Sequence, residues 1–209
     1  MITNEIKMTI SYNTHDAENN TKVLTSSPLD LSKYSSWEEI REELANQGFV
    51  LEEFENCLVV ENLQNISEEM TDLKQWHPKH VFNLLNAAGV LTDRSRFATM
   101  QAVAEVCGLD EFADLVEHRG DAWDEGIFLY EGYDWYDFGK MVCEVNEYKI
   151  PENLEYFIDY EAYGESFSLN ANVYSYSKGI IELAYCCSSY LINNKSTEFQ
   201  TRCFSKNTF

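Results

Sequence analysis

Pro151 to Tyr185 reads PENLEYFIDYEAYGESFSLNANVYSYSKGIIELAY, a helix signal followed by a hairpin signal. Pro151 suits the first turn of a helix, where its missing N–H is not needed by any intrahelical bond. The helix is predicted to run through Tyr163 and to stop at Gly164, a residue that takes the left-handed conformation without a Cβ penalty. Ser168–Tyr176 then alternates, Ser177-Lys178-Gly179 turns, and Ile180–Tyr185 returns, the pattern of a β-hairpin. Helix plus hairpin makes a small α+β unit.

Working outward, Ile127–Tyr130 is a predicted strand, and Tyr133–Glu144 is aromatic, acidic and helical from Tyr136. Upstream lies a helical stretch. Ser67 caps a helix to about Gln75, Pro78 opens one through Ala88, Thr92 or Asp93 caps one through Cys107, and Asp110–Glu117 forms another. Gly89 and Gly108 punctuate them. At the start, Ile6–Tyr12 alternates as a strand, Ser36-Trp37-Glu38-Glu39 is a capping box opening a helix to about Asn46, and Leu58–Val60 is a short strand. The expected fold class is α+β: an elongated chain of three small domains. These are an α/β unit over 1–62, a helical bundle over 63–120 and a C-terminal α+β unit with its hairpin over 121–185. Residues 186–209 have little periodicity and read as a poorly ordered tail.

Charge is the strongest compositional signal. The 209 residues hold 36 Asp and Glu against 15 Lys and Arg, a net charge of -21. Such a surface repels nucleic acid and anionic membrane, so direct DNA binding is not expected. A hydrophobic fraction of 44% and an aromatic fraction of 14% exclude a disordered acidic polymer. No apolar run is long enough for a membrane helix, and MITNEIKMTISY lacks the pattern of a secretory signal. The chain is therefore expected in the cytoplasm. The charge is concentrated: residues 38–72 hold 11 acids and 1 base, and residues 105–165 hold 18 acids and 3 bases. The stretch between them, residues 73–104, has 1 acid and 4 bases.

Catalytic motifs are lacking. Gly132 to Lys140 ends in Gly-Lys, but its glycine spacing and the following Met141 do not make a phosphate loop. Asp121–Gly132 lacks oxygen ligands at two required positions of a calcium loop, Trp123 and Gly132. His77 and His80 flank Pro78 without further ligands at metal spacing. The six cysteines include no CxxC. Neither a metal nor another cofactor is expected, and an enzyme is not.

The acids themselves have a physical use. Glu38/Glu42, Glu39/Glu43 and Asp110/Asp114 are like-charge i,i+4 pairs, each costing a helix about 0.2–0.5 kcal/mol. A solvated face kept for solubility explains one such run. Two runs on predicted elements, interleaved with Tyr130, Tyr133, Trp135, Tyr136 and Phe138, point to a folded array of carboxylates fit for a site that holds phosphates. The array comprises Glu38, Glu39, Glu42, Glu43, Asp110, Glu111, Asp114, Glu117, Asp121, Asp124, Glu125 and Glu131. At one charge per about 1.7 Å of duplex, 21 charges correspond to roughly 36 Å of DNA.

Ile158-Asp159-Tyr160-Glu161-Ala162-Tyr163-Gly164, followed by Gly179-Ile180 and Glu182 to Tyr185, resembles the closing signature of the ArdA antirestriction family. Asp137-Phe138-Gly139 with Glu144 resembles its acidic segment. The resemblance implies a DNA mimic carried by a mobile element or phage. Such a protein is a homodimer whose carboxylates imitate phosphates in the DNA-binding groove of type I restriction–modification enzymes, at the specificity subunit of the methyltransferase core. It adds Asp134, Asp137, Glu144, Glu147, Glu152 and Glu155 to the candidate mimics, and Phe138, Met141 and Val142 to the dimer contact. A mimic aimed at another target, such as a CRISPR effector or a DNA-binding regulator, would use the same charges. A metal-dependent hydrolase and an acidic chaperone of basic clients are the competing readings from other classes.

Overall fold

The computed structural model describes residues 6–15, 21–169 and 172–183. Its elements are mixed helix and strand in two small antiparallel sheets, so the α+β class holds. The chain divides into two compact units, with the division between Glu125 and Gly126. The expected tail, residues 186–209, lies outside the described residues.

The first unit is built on β1 (Lys7–His15). Met8, Ile10 and Tyr12 alternate onto one face and are buried, as a period of two requires. One edge of β1 pairs antiparallel with β4 (Val59–Gln64). The other edge is shared by β2 (Thr21–Thr25) and the two-residue β3 (Leu29–Asp30). Between Thr9 and Ile10 the register against β4 shifts by a bulge. Helix α1 (Trp37–Asn46) buries Trp37, Ile40 and Leu44, spaced three and four apart on one face. Its N-cap Ser36 accepts from the Glu39 N–H, as the capping box predicts. The Glu39 carboxylate reaches back to Ser35, at 2.7 Å from the N–H and 2.8 Å from the hydroxyl. A short helix α2 (Leu51–Phe54) follows.

The predicted helix after Ser67 is instead a 3-10 segment, Glu68–Gln75, and Ser67 makes no side-chain cap bond. Without that bond the first N–H groups of the segment lack a side-chain acceptor. Helices α3 (Pro78–Ala87), α4 (Arg94–Cys107) and α5 (Leu109–Arg119) match their sequence signals closely. Asp93 caps α4, accepting from Ser95 at 2.8 Å and Arg96 at 3.2 Å. Phe82, Leu85, Met100, Phe112 and Trp123 close the core of this unit.

The second unit pairs a three-stranded sheet with two helices. β5 (Ile127–Glu131), β6 (Val173–Tyr176) and β7 (Gly179–Leu183) run in the order β5-β7-β6. The predicted hairpin is β6–β7, and β5 joins its far edge. Helix α6 (Trp135–Val145) opens at Asp134, whose carboxylate accepts from Asp137 N–H at 2.9 Å. Helix α7 (Tyr160–Ser168) corrects the sequence reading. No helix runs from Pro151, whose following residues form turns and a short 3-10 segment, Glu155–Phe157. Asp159 starts the helix, accepting from Ala162 N–H at 3.0 Å.

Gly164 lies inside α7 rather than ending it. A Cβ there would stand 2.1 Å from the Trp135 carbonyl, and one at Gly139 would stand 2.0 Å from the Tyr160 carbonyl. The two glycines let α6 and α7 meet backbone to backbone, which no other residue permits. Phe138, Val173 and Ile180 form the small core beside this crossing, with Tyr130, Trp135 and Phe167 packed around it.

Candidate partner-binding surface

Each acidic run sits on the side of an element that the core leaves over. Helix α5 points Leu109, Phe112, Leu115 and Val116 inward. Asp110 and Glu117 are then exposed, and Glu111 and Asp114 half-buried. At 1.5 Å per residue, Asp110, Asp114 and Glu117 spread over about 10 Å of helix. Burial pushes the Glu111 carboxyl up, and repulsion from Asp114 and Asp110 adds to it. On α1, Glu38, Glu39 and Glu42 are exposed and Glu43 is half-buried, accepting from Gln47 at 2.7 Å. Hydrogen bonds from the Ser35 N–H and hydroxyl hold the Glu39 carboxyl below the usual range.

Past α5, Asp121 and Glu125 are exposed, whereas Asp124 is half-buried 3.3 Å from the Arg96 guanidinium. In the second unit Glu131, Asp134, Asp137, Glu144, Glu147, Glu152 and Glu155 are all exposed. Asp134 has a structural duty as the cap of α6. Of the three residues assigned to a dimer contact, Phe138 is 2% exposed and fills the core, while Met141 and Val142 are half-buried against it. The exposed apolar side chains nearby are others: Val145, Tyr148, Tyr156 and Phe157.

His77 takes a structural part. His77 Nδ1 accepts from Lys79 N–H at 3.2 Å and caps α3, so Nε2 carries the proton and donates to the Glu55 carbonyl at 2.8 Å. Both ring nitrogens are thereby occupied. Among the described residues no group of three or more His, Cys, Asp or Glu is arranged to hold a metal ion. Nor does any helix among them have the length and apolarity to cross a membrane.

The signature residues of the C-terminal region are placed by the crossing and the sheet. Asp159 caps α7, Tyr160 is buried, and Gly164 meets α6. Glu182 accepts from the Tyr130 hydroxyl at 2.8 Å, tying β7 to β5. Burial and this bond push the Tyr130 hydroxyl up to about 12. A family model described as antirestriction protein (ArdA) matches residues 12–182, which span both units. The chain belongs to the ArdA antirestriction family. Compared with curated proteins, it shows no match. Membership in the ArdA family assigns an antirestriction function, and with it an interaction with restriction enzymes.

Sequence reasoning missed Arg96 and Trp123, which fix the segment after α5. The only sequence signal for Arg96 was its place in the basic stretch between two acidic blocks. Trp123 stood out only as a residue unfit for a calcium loop.

Proposed function

We propose that this ArdA-family chain is a DNA mimic. It occupies the DNA-binding groove of a type I restriction–modification enzyme, at the specificity subunit of the methyltransferase core, and blocks access without catalysis. The observation that carries the reading is the disposition of its acids: none of the candidate mimic carboxylates is buried. The 18 acids against 3 bases over residues 105–165 give both units a strong negative field. A carboxylate paired within the protein, as Asp124 is with Arg96, is neutralised there, whereas an exposed one can meet the lysines and arginines that hold phosphates.

The protein acts as a homodimer in this reading. Exposed Tyr148, Tyr156 and Phe157 give the second unit apolar surface for a second copy. Two copies would extend the array to the charge of roughly 70 Å of duplex.

The test is displacement. Titrated into a purified type I methyltransferase core bound to labelled duplex DNA, the protein is expected to release the DNA stoichiometrically, and less effectively as salt rises. Replacing Asp110, Asp114 and Glu117 together by their amides is expected to weaken release by about tenfold or more while circular dichroism stays unchanged. Release equal to wild type by that triple variant would remove α5 from the mimic surface. No release by wild type at any salt would end the type I reading.

A further inference from the structure

Arg96 ties the acidic segment after α5 to the body of the first unit. It lies in the first turn of α4. Its Nη2 donates to the Asp121 carbonyl at 2.7 Å, and its Nη1 to the Ala88 carbonyl at 3.4 Å. Its Nε stands 3.3 Å from the Asp124 carboxylate. The same Ala88 carbonyl accepts from the indole N–H of Trp123 at 2.8 Å, and Trp123 is fully buried edge-on to Phe112. Beyond it, Arg119 donates to the Glu125 carbonyl at 3.1 Å. The segment is thus held at its start, middle and end.

Gly89 lies against the guanidinium. A Cβ at that position would stand 2.9 Å from Nη1, and its φ of +70° favours glycine. The consequence for the carboxylates is unequal. Asp124 is 26% exposed and engaged by Arg96, whereas Asp121 is 97% exposed and 3.9 Å from the nearest guanidinium nitrogen. Arg96 grips Asp121 by its backbone carbonyl and leaves its side chain outside.

We infer that Arg96 is a positioning residue of the partner-binding surface. It fixes the Asp121–Glu125 backbone so that the Asp121 and Glu125 carboxylates are presented to a basic groove, and Asp124 is its counter-ion instead of a partner contact. The inference rests on the DNA-mimic reading above. Two effects of removing Arg96 have opposite signs. Deleting a cation from a chain of net charge -21 strengthens attraction to a basic groove. Loosening the segment lowers its preorganisation and weakens binding. The guanidinium fork makes its contacts from fixed positions, which a lysine ammonium does not reproduce.

The experiment compares Arg96→Gln, Arg96→Lys and Arg94→Gln with wild type in the DNA-displacement assay, alongside amide hydrogen exchange of the protein alone. Both Arg96 variants are expected to exchange faster at residues 121–125. They should also need about two- to fivefold more protein for half-displacement, the range of one lost partly exposed ion pair. Arg94→Gln removes the same charge two residues away and should need no more than wild type. If Arg96→Gln and Arg94→Gln both displace at or below the wild-type concentration, charge alone counts and the positioning role is overturned. Should Arg96→Gln unfold the unit, Arg96→Lys decides the case at unchanged charge, and wild-type behaviour there overturns the role. Wild-type protein that displaces no DNA is a separate failure: it removes the mimic reading, and the positioning role with it.

Discussion

The two units meet the cost of ordering the chain by different means. The first buries a broad set of large side chains, among them Trp37, Phe82, Phe112, Trp123 and the inward face of β1. Among its described residues the second buries fewer, chiefly Phe138, Tyr160, Val173, Ile180, Ile181 and Leu183, and brings α6 and α7 together where glycines remove the side chains. It also leaves Tyr156 94% and Phe157 83% exposed. A broad apolar core tolerates local change because its stability is spread over many contacts. A backbone crossing does not, because one added methyl group separates the helices along their whole contact.

The largest expected effect tests that difference directly. Gly164→Ala places a Cβ against the Trp135 carbonyl, and backbone cannot step aside as a flexible side chain can. A loss of about 3 kcal/mol or more is expected, at the upper end of overpacking costs. Amide exchange should show α6, α7 and β7 losing protection while β1 and α4 keep theirs. Uniform loss across both units would break the comparison.

Asp159→Ala is a smaller change in the same unit. It removes the acceptor for Ala162 N–H and should cost about 1 kcal/mol in chemical denaturation. The low-melting probe should again be in α7. A shift of the first unit instead would show that the cap matters less than its place in the chain suggests.

The smallest effect sharpens the comparison in the first unit, through pH. Glu111 has its carboxyl raised in the folded state, chiefly by burial. The folded chain therefore holds that proton more readily than the unfolded one. Its contribution favours folding at pH below the ordinary carboxylate value and is lost as pH rises through the raised value. Glu111→Gln should accordingly stabilise the unit at pH 7, by less than about 1 kcal/mol given its partial exposure. The advantage should vanish as pH falls below the ordinary carboxylate value. An advantage that persists there would mean that burial and repulsion of the charge are not the cause.

Much of the fold was legible in the sequence where the signal is local. Asp93 before α4, Pro78 at the start of α3, Ser36 before α1 and the Ser177-Lys178-Gly179 turn each act within a few residues, and each sits where its residue type led. The Pro151 helix failed because a proline permits a helix start without enforcing one, while Asp159 supplies an actual acceptor. The α-helix expected over Glu68–Gln75 also failed: Ser67 leaves its capping capacity unused and the segment is 3-10. In the candidate surface, the acidic positions could be read but not their separate duties. Asp124 and Asp121 look alike in the sequence, and only the position of Arg96 tells them apart.

From the sequence alone come the α+β class, the two acidic blocks and the signature that links the chain to the ArdA family. These depend on composition and on spacings of a few residues. Tertiary structure alone decided that Gly164 and Gly139 serve a helix crossing, that β1 shares one edge between β2 and β3, and that Arg96 grips the segment after α5. The glycine crossing, the β1–β3 pairing and the Arg96 contact each join groups more than twenty residues apart. No local propensity encodes such a meeting, because it exists only once the intervening chain has folded.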